Sequence, residues 1–354
     1  MRAILVLAAA VWLSAAAAAA QVADTLARPA TRVARPAQAV LLGVARAGAR
    51  LVAVGERGLV VVSDDQGRGW RQVPVPVSVT LTAVRFASAR AGWAVGHRGV
   101  VLHTDDGGDT WTRQLDGVQF AAIARQQAAA AAVADTSSAA ARALADADAL
   151  VRDGADKPFL AVDFADERHG LAVGAYGLCA RTDDAGAHWT SCIGELPNPK
   201  AAHLYAIARA AGATWVVGEQ GLVLRAAAPG APFEPVAVPY AGSFFCVGIA
   251  GDGSVLLGGL RGNAFAAAAG GAFERVDTGR AGSCAAAARG ADGRLLVVDE
   301  LGQVSRFEAL GRRLDALPGP PSAPLGDLVA LPDGALVVVG VRGAGVLPAR
   351  PSTS

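Results

Sequence analysis

Short apolar runs, each broken at a fixed place by a tight turn that in six of seven cases holds two glycines three residues apart, recur along the chain. They read LVAVGERGLVVVSDD at 51–65, GWAVGHRGVVLHTDD at 92–106 and GLAVGAYGLCARTDD at 170–184. The pattern continues as TWVVGEQGLVLRA at 214–226, VLLGGLRGNAFAA at 255–267, LLVVDELGQVSRF at 295–307 and LVVVGVRGAGVLP at 336–348. The leading positions are Gly55, Gly96, Gly174, Gly218, Gly259, Asp299 and Gly340, spaced by 41, 78, 44, 41, 40 and 41 residues. Runs of four or five apolar residues around a tight turn are strand pairs, and glycine at such a turn removes the Cβ penalty for positive φ. A further strand precedes each pair, as in LTAVRFA at 81–87, FLAVDFA at 159–165, LYAIARA at 204–210 and FFCVGIA at 244–250. Asp252-Gly253, Asp292-Gly293 and Asp333-Gly334 mark the hairpins that join it to the next strand.

A period of about 40 residues holds four short strands, which is one blade of a β-propeller. The chain is therefore predicted to be all-β, a seven-bladed β-propeller over residues 24–350. Its last repeat runs out after the third strand, near Leu347. The segment Thr31 to Ala39 is expected to supply the missing outer strand and so to fasten the ends of the chain together.

The 78-residue interval exceeds one period, and the excess falls at 117–155. AAIARQQAAAAAVA, DTSS and AAARALADADALVRDG predict an Ala-rich helical hairpin inserted between blades 2 and 3, with Ser137 or Ser138 capping its second helix. It should stand beside the G-x-x-G turns, because both connections leave a propeller on the same side of the disc.

Composition narrows the setting. Residues 1–20 carry one early charge, Arg2, then an uncharged Ala-rich run, the layout of a cleaved signal peptide or, alternatively, of a retained membrane anchor. A periplasmic or otherwise exported protein, possibly membrane-associated, follows. Net charge is +1, which gives a nucleic-acid partner no electrostatic support. Four cysteines suit an oxidising compartment. Cys179 should face Cys192 across one hairpin and form a disulfide, whereas Cys246 and Cys284, both on innermost strands, either bridge adjacent blades or stay buried thiols. The histidines show no metal-ligand spacing, and no metal or cofactor is expected.

Candidate chemistry is sparse. The second variable position of G-x-x-G holds Arg57, Arg98, Tyr176, Gln220, Arg261, Leu301 and Arg342. Arg342, Arg57 and Arg98 fall on consecutive blades, so a partner-binding surface of Arg57, Arg98, Arg261 and Arg342, with His97 and Tyr176, is the leading candidate. Guanidinium groups pair bidentately with carboxylates or phosphates. Glycoside hydrolysis would require paired carboxylates, or a tyrosine nucleophile with a carboxylate partner. Glu56, Glu219 and Glu300 occupy turns on the same face as Tyr176, yet their spacing defines no pair. A sialidase-like extracytoplasmic glycoside hydrolase is thus the alternative to a non-catalytic binding protein.

Three turns carry S/T-x-D-x-G-x-x-W: Ser63, Asp65, Gly67 and Trp70; Thr104, Asp106, Gly108 and Trp111; Thr182, Asp184, Gly186 and Trp189. They resemble the Asp-box (BNR repeat) of sialidase-type propellers, in which the aspartate accepts hydrogen bonds inside the turn and the tryptophan packs between sheets. That resemblance implies a structural role. Together with the export signal, Gly92-Trp93-Ala94-Val95-Gly96, Gly99, Leu102, Thr104, Asp106-Gly107-Gly108 and Thr110-Trp111 resemble the photosystem II stability/assembly factor family and its non-photosynthetic bacterial relatives. The resemblance implies a monomeric assembly scaffold that holds an envelope membrane protein or complex, with the arginine-rich face as its partner surface.

Overall fold

The computed structural model describes residues 24–309, 312–318 and 323–349. The predicted signal segment, 1–20, lies outside them. The described residues form seven antiparallel sheets, each a meander in chain order. Six have four strands and the last has three. The innermost strands are Leu41–Ala47, Leu81–Phe86, Phe159–Phe164, Leu204–Ala210, Phe244–Ile249, Cys284–Arg289 and Leu325–Ala330. Each touches the next in turn, and the last touches the first, so the sheets close into a ring around a central channel. This is a β-propeller.

The second strand of each sheet is sandwiched between two neighbouring sheets. Gly92–Gly96, Val255–Gly259 and Leu336–Gly340 are buried at every position. Burial on both faces explains why these strands read as unbroken apolar runs with no alternation. The seam between last and first sheets is filled the same way, by Leu41, Leu51, Val61, Val337 and Val339.

The turn glycines divide their work, which corrects the expectation that both serve positive φ. Gly55 is extended, at φ −166°, and a Cβ there would run into the carbonyl oxygen of Val40. Gly58 is the one that needs the left-handed region, at φ 75°. Arg57 is left-handed as well, at φ 55°. In the sixth sheet Asp299 replaces the leading glycine. Its Oδ1 accepts the amides of Leu301 (3.0 Å) and Gln303 (2.9 Å), closing the turn by side chain, and the missing Cβ of Gly282 leaves room for the carboxylate.

The predicted outer strand from 31–39 does not form. Within the described residues the seventh sheet ends at Gly343–Leu347, and no strand covers 31–39. Pro36 lacks the N–H that a ladder requires, and Pro36–Gln38 is instead a 3-10 turn seated against that last strand. On its other side the segment is held by Gln72 of the first sheet, which accepts from the Val33 amide (2.9 Å) and donates to the Thr31 carbonyl (3.0 Å). The ends are fastened, but by a strap.

Helices α1 (Gly117–Ala134) and α2 (Ser138–Asp153) follow the second sheet. Asp116 and Gln119 form a reciprocal capping box on α1, and Ser137 caps α2 at the Ala140 amide (3.2 Å). The N-terminus of α1 contacts the His97–Gly99 turn, as expected. Further along, Gln127 accepts from the Ser191 amide (2.7 Å), so the pair also covers the outer edge of the third sheet.

Candidate partner-binding face

Strands of a meander alternate in direction, so the turn between second and third strands and the link to the next sheet emerge on one face. The 3-10 turns Glu56–Gly58, His97–Gly99, Ala175–Gly177, Glu219–Gly221 and Leu260–Gly262 each touch the innermost strand of the following sheet. Arg57, Arg98, Tyr176 and Arg261 all project from left-handed positions in these turns. Arg342 occupies the equivalent turn of the seventh sheet. Sheets seven, one and two are consecutive, so Arg342, Arg57 and Arg98 share one arc of this face, and Arg261 stands apart on the fifth sheet.

Arg57, Arg261, Arg342 and His97 are exposed, while Arg98 is not free. Its Nη2 lies 3.4 Å from Asp24 Oδ2. Tyr176 is 58% exposed, with its ring against His203 (4.6 Å between centroids) and beneath Lys157 Nζ (5.5 Å). Lys157 is itself tied to Asp153 and Asp156.

Two of the three turn glutamates, Glu219 and Glu300, brace the backbone. Glu219 accepts from the His203 amide (2.9 Å) and the Tyr205 hydroxyl (3.2 Å), and Glu300 accepts from the Ser283 amide (3.1 Å). Burial, reinforced by the Glu219 carboxylate, pushes the Tyr205 hydroxyl up to about 12. The phenol therefore stays protonated at neutral pH, with its hydroxyl on the Glu219 carboxylate.

The Asp-box turns lie on the opposite face, with the first-to-second-strand hairpins. In the second sheet Thr104 Oγ1 donates to Asp106 (2.8 Å) and accepts from the Gly108 amide (3.0 Å). Trp111 Nε1 donates to the Gly108 carbonyl (3.1 Å). Ser63, Asp65, Gly67 and Trp70 repeat the arrangement. Thr182, Asp184 and Gly186 do too, but the indole N–H of Trp189 is buried without a hydrogen-bond acceptor, and its ring packs edge-on against Phe164. Burial alone would raise the Asp106 carboxyl, but donors from Thr110, Thr104 and the Asp109 amide bring it down to about 2.

Both cysteine pairs are disulfides. Cys179–Cys192 staples one hairpin of the third sheet, and Cys246–Cys284 joins the innermost strands of the fifth and sixth. Gly258 is packed against both sulfurs of the second bond, where a Cβ would lie 2.5 Å from Cys246 Sγ.

One constellation escapes the turn-based reading. Inside the channel, Asp163 Oδ2 lies 2.8 Å from Arg209 Nε, and Asp327 Oδ2 lies 3.6 Å from Arg85 Nη1. Arg289 donates twice to the Ile249 carbonyl, at 3.0 and 2.7 Å. Burial raises the carboxyls of both Asp163 and Asp327 against the pull of their arginines. The signal available in the sequence is a charge within an otherwise apolar innermost strand, at the fifth residue of LTAVRF and FLAVDF, the sixth of LYAIARA and CAAAAR and the third of LGDLVA.

A family model described as photosynthesis system II assembly factor YCF48 matches residues 44–128 and 147–310. Over 66 residues, 19% of this chain, the sequence is 35% identical to the photosystem II assembly lipoprotein Ycf48 of Synechococcus sp. (strain CC9902), and that segment spans 20% of the relative's length. A solved structure of YCF48 bound to D1 peptide superposes with a TM-score of 0.63 at 15% identity, covering 92% of this chain and 100% of that one. Virginiamycin B lyase from Staphylococcus aureus superposes with a TM-score of 0.60 at 10% identity, covering 90% and 97%. At such identities these two likenesses bear on the fold alone.

Proposed function

Because the chain belongs to the photosynthesis system II assembly factor YCF48 family, we propose that it is an exported, non-catalytic assembly factor that holds a segment of an envelope membrane protein or complex. In this reading each sheet is one blade of a seven-bladed propeller, α1 and α2 are an insertion between blades two and three, and residues 1–20 direct export. The single observation that carries it is the arc of Arg342, Arg57 and Arg98 on consecutive sheets at one face. Arg261, His97 and Tyr176 extend the surface. Repeated guanidinium groups select carboxylates, and a relative of the same fold is solved with a peptide bound. Two disulfides and a relative described as a lipoprotein support an extracytoplasmic, membrane-associated setting.

A glycoside hydrolase on this face would need an activated tyrosine beside a carboxylate. The Tyr205–Glu219 contact at 3.2 Å has that geometry, so a hydrolase stands as the second reading, and an assay of glycosidase activity in wild type against Tyr205→Phe tests it. The test of the binding reading is chemical crosslinking in the native envelope with quantitative recovery of partners. Wild type is compared with Arg57→Glu, Arg98→Glu and Arg342→Glu combined. Loss of specific partners is expected; unchanged recovery would discard the arginine face.

A further inference from the structure

The second residue of each innermost strand converges on the mouth of the central channel. These residues are Leu42, Thr82, Leu160, Tyr205, Phe245 and Ala285, and all six are half-buried. The seventh place is Gly326, which has no side chain and lies against the backbone of Leu42. Tyr205 and Phe245 meet at 5.0 Å between ring centroids. The mouth is thus mostly apolar and partly aromatic, in a channel of about 570 Å³, within the ~300–1,000 Å³ of ligand pockets.

This mouth opens on the arginine-bearing face, because each innermost strand starts where the link between sheets ends. The turn carrying Arg57 contacts the strand of Thr82, and the turn carrying Arg98 contacts the strand of Leu160. Deeper in the channel the lining changes to Arg85, Asp163, Arg209, Asp327 and Arg289. Asp163–Arg209 and Arg85–Asp327 are paired with each other, and an apolar group pushed to that depth would strip water from paired charges. The apolar zone is therefore one side chain deep. Its near rim carries Arg342, Arg57 and Arg98 on sheets seven, one and two, the last of them already paired with Asp24. Of the glutamates on this face, Glu219 and Glu300 are engaged with backbone amides, and Glu56 is exposed.

We infer that the channel mouth is an anchor pocket for one bulky apolar side chain of an acidic, extended partner segment, whose neighbouring Asp or Glu residues pair with Arg342, Arg57 and Arg98. The inference rests on the proposed binding function and names the partner's chemistry. Charge complementarity selects the acidic flank, and the convergent half-buried ring selects the anchor.

The experiment pans a phage-displayed library of random linear peptides against the full chain. The best enriched peptide is then measured by fluorescence polarisation against wild type, Ala285→Trp, which fills the mouth, and the triple arginine-to-glutamate variant. Enriched peptides should share a bulky apolar residue flanked by acidic ones. Burying such a side chain is worth roughly tenfold to a hundredfold in affinity, and Ala285→Trp should lose about that much. Should Ala285→Trp fail to fold by thermal melting, Leu160→Asp probes the same pocket by placing a charge in it. If the arginine variant abolishes binding while the mouth variant binds as wild type, the anchor pocket is refuted and the arginine face stands. Binding insensitive to both variants, or a library that yields no enrichment, overturns the anchor and the binding face together.

Discussion

Asp327 Oδ2 on the innermost strand of the last sheet accepts the backbone amide of Val44 in the first, at 3.0 Å across the seam of the ring. Its Oδ1 accepts the Leu328 amide at 2.8 Å. Burial raises this carboxyl above the usual range, with Arg85 opposing. A folded-state value above the unfolded one means that the native chain holds the proton more tightly. Stability from this group therefore grows as pH falls from the raised value towards about 4, and is flat outside that window. Asp327→Asn keeps an acceptor for Val44 and removes the titration. It should cost no more than about 1 kcal/mol at neutral pH, and wild type should gain on it as the solution is acidified. Asp327→Leu leaves the Val44 amide unpaired and should cost about 1–3 kcal/mol. Urea unfolding at neutral pH and near pH 4 separates the three proteins; a gap between wild type and Asp327→Asn that ignores pH would dismiss the buried charge.

The two disulfides should contribute unequally. Cys246 and Cys284 are separated by 38 residues, Cys179 and Cys192 by 13. Loop-closure entropy gives about 4 kcal/mol for the longer loop and about 3 for the shorter. The longer one also joins two sheets. Paired Cys→Ser variants compared by urea unfolding should show the larger loss for Cys246/Cys284. Gly258→Ala, which forces a methyl towards both sulfurs, should raise the free-thiol titre of the folded protein.

Asp106 tests the Asp-box as a structural device. Its carboxyl sits at about 2, because the donors gathered in the turn outweigh burial. A depressed value means stability that is present above the unfolded pKa, about 4, and is lost as pH falls towards 2. Asp106→Ala should cost about 1–3 kcal/mol at neutral pH, with the gap to wild type closing in strong acid. Peptide binding at the opposite face should be unchanged, as a purely local turn role requires.

Repetition made much of the molecule legible. Seven near-regular turns announce stacked sheets, the Asp-box positions form the hydrogen bonds their pattern implies, and Cys179 faces Cys192 because hairpin register is local. What stayed hidden depends on neighbours far apart in the chain. Pairing between Asp163 and Arg209, or between Asp327 and Arg85, becomes visible only when the ring closes. The segment 31–39 looked like a strand by its place in the repeat count, but Pro36 withholds the amide a ladder needs. The leading glycines are legible in the repeat, but the reason for them is not. Gly55 is required by the carbonyl of Val40, a contact that no local pattern encodes.

Arg98 offers the most direct probe of the proposed binding face, because the chain already pairs it with an acid of its own. The segment around Asp24 lies over the link between the first two sheets. Leu26 is buried, its carbonyl accepts from Arg113 Nη1 (2.8 Å), and the Thr25 carbonyl accepts from the Ser78 amide (2.8 Å). Asp24 therefore sits where a partner carboxylate would compete for Arg98. Both side chains are substantially exposed, at 53% and 40%, and such a pair is worth about 0.2–1 kcal/mol. Asp24→Asn should strengthen binding of an acidic peptide by no more than about fivefold at low salt, and the gain should fade as salt screens the contact. Polarisation titrations across salt concentrations read this directly. An unchanged affinity at low salt would remove Arg98 from the surface, leaving Arg57 and Arg342 to carry it.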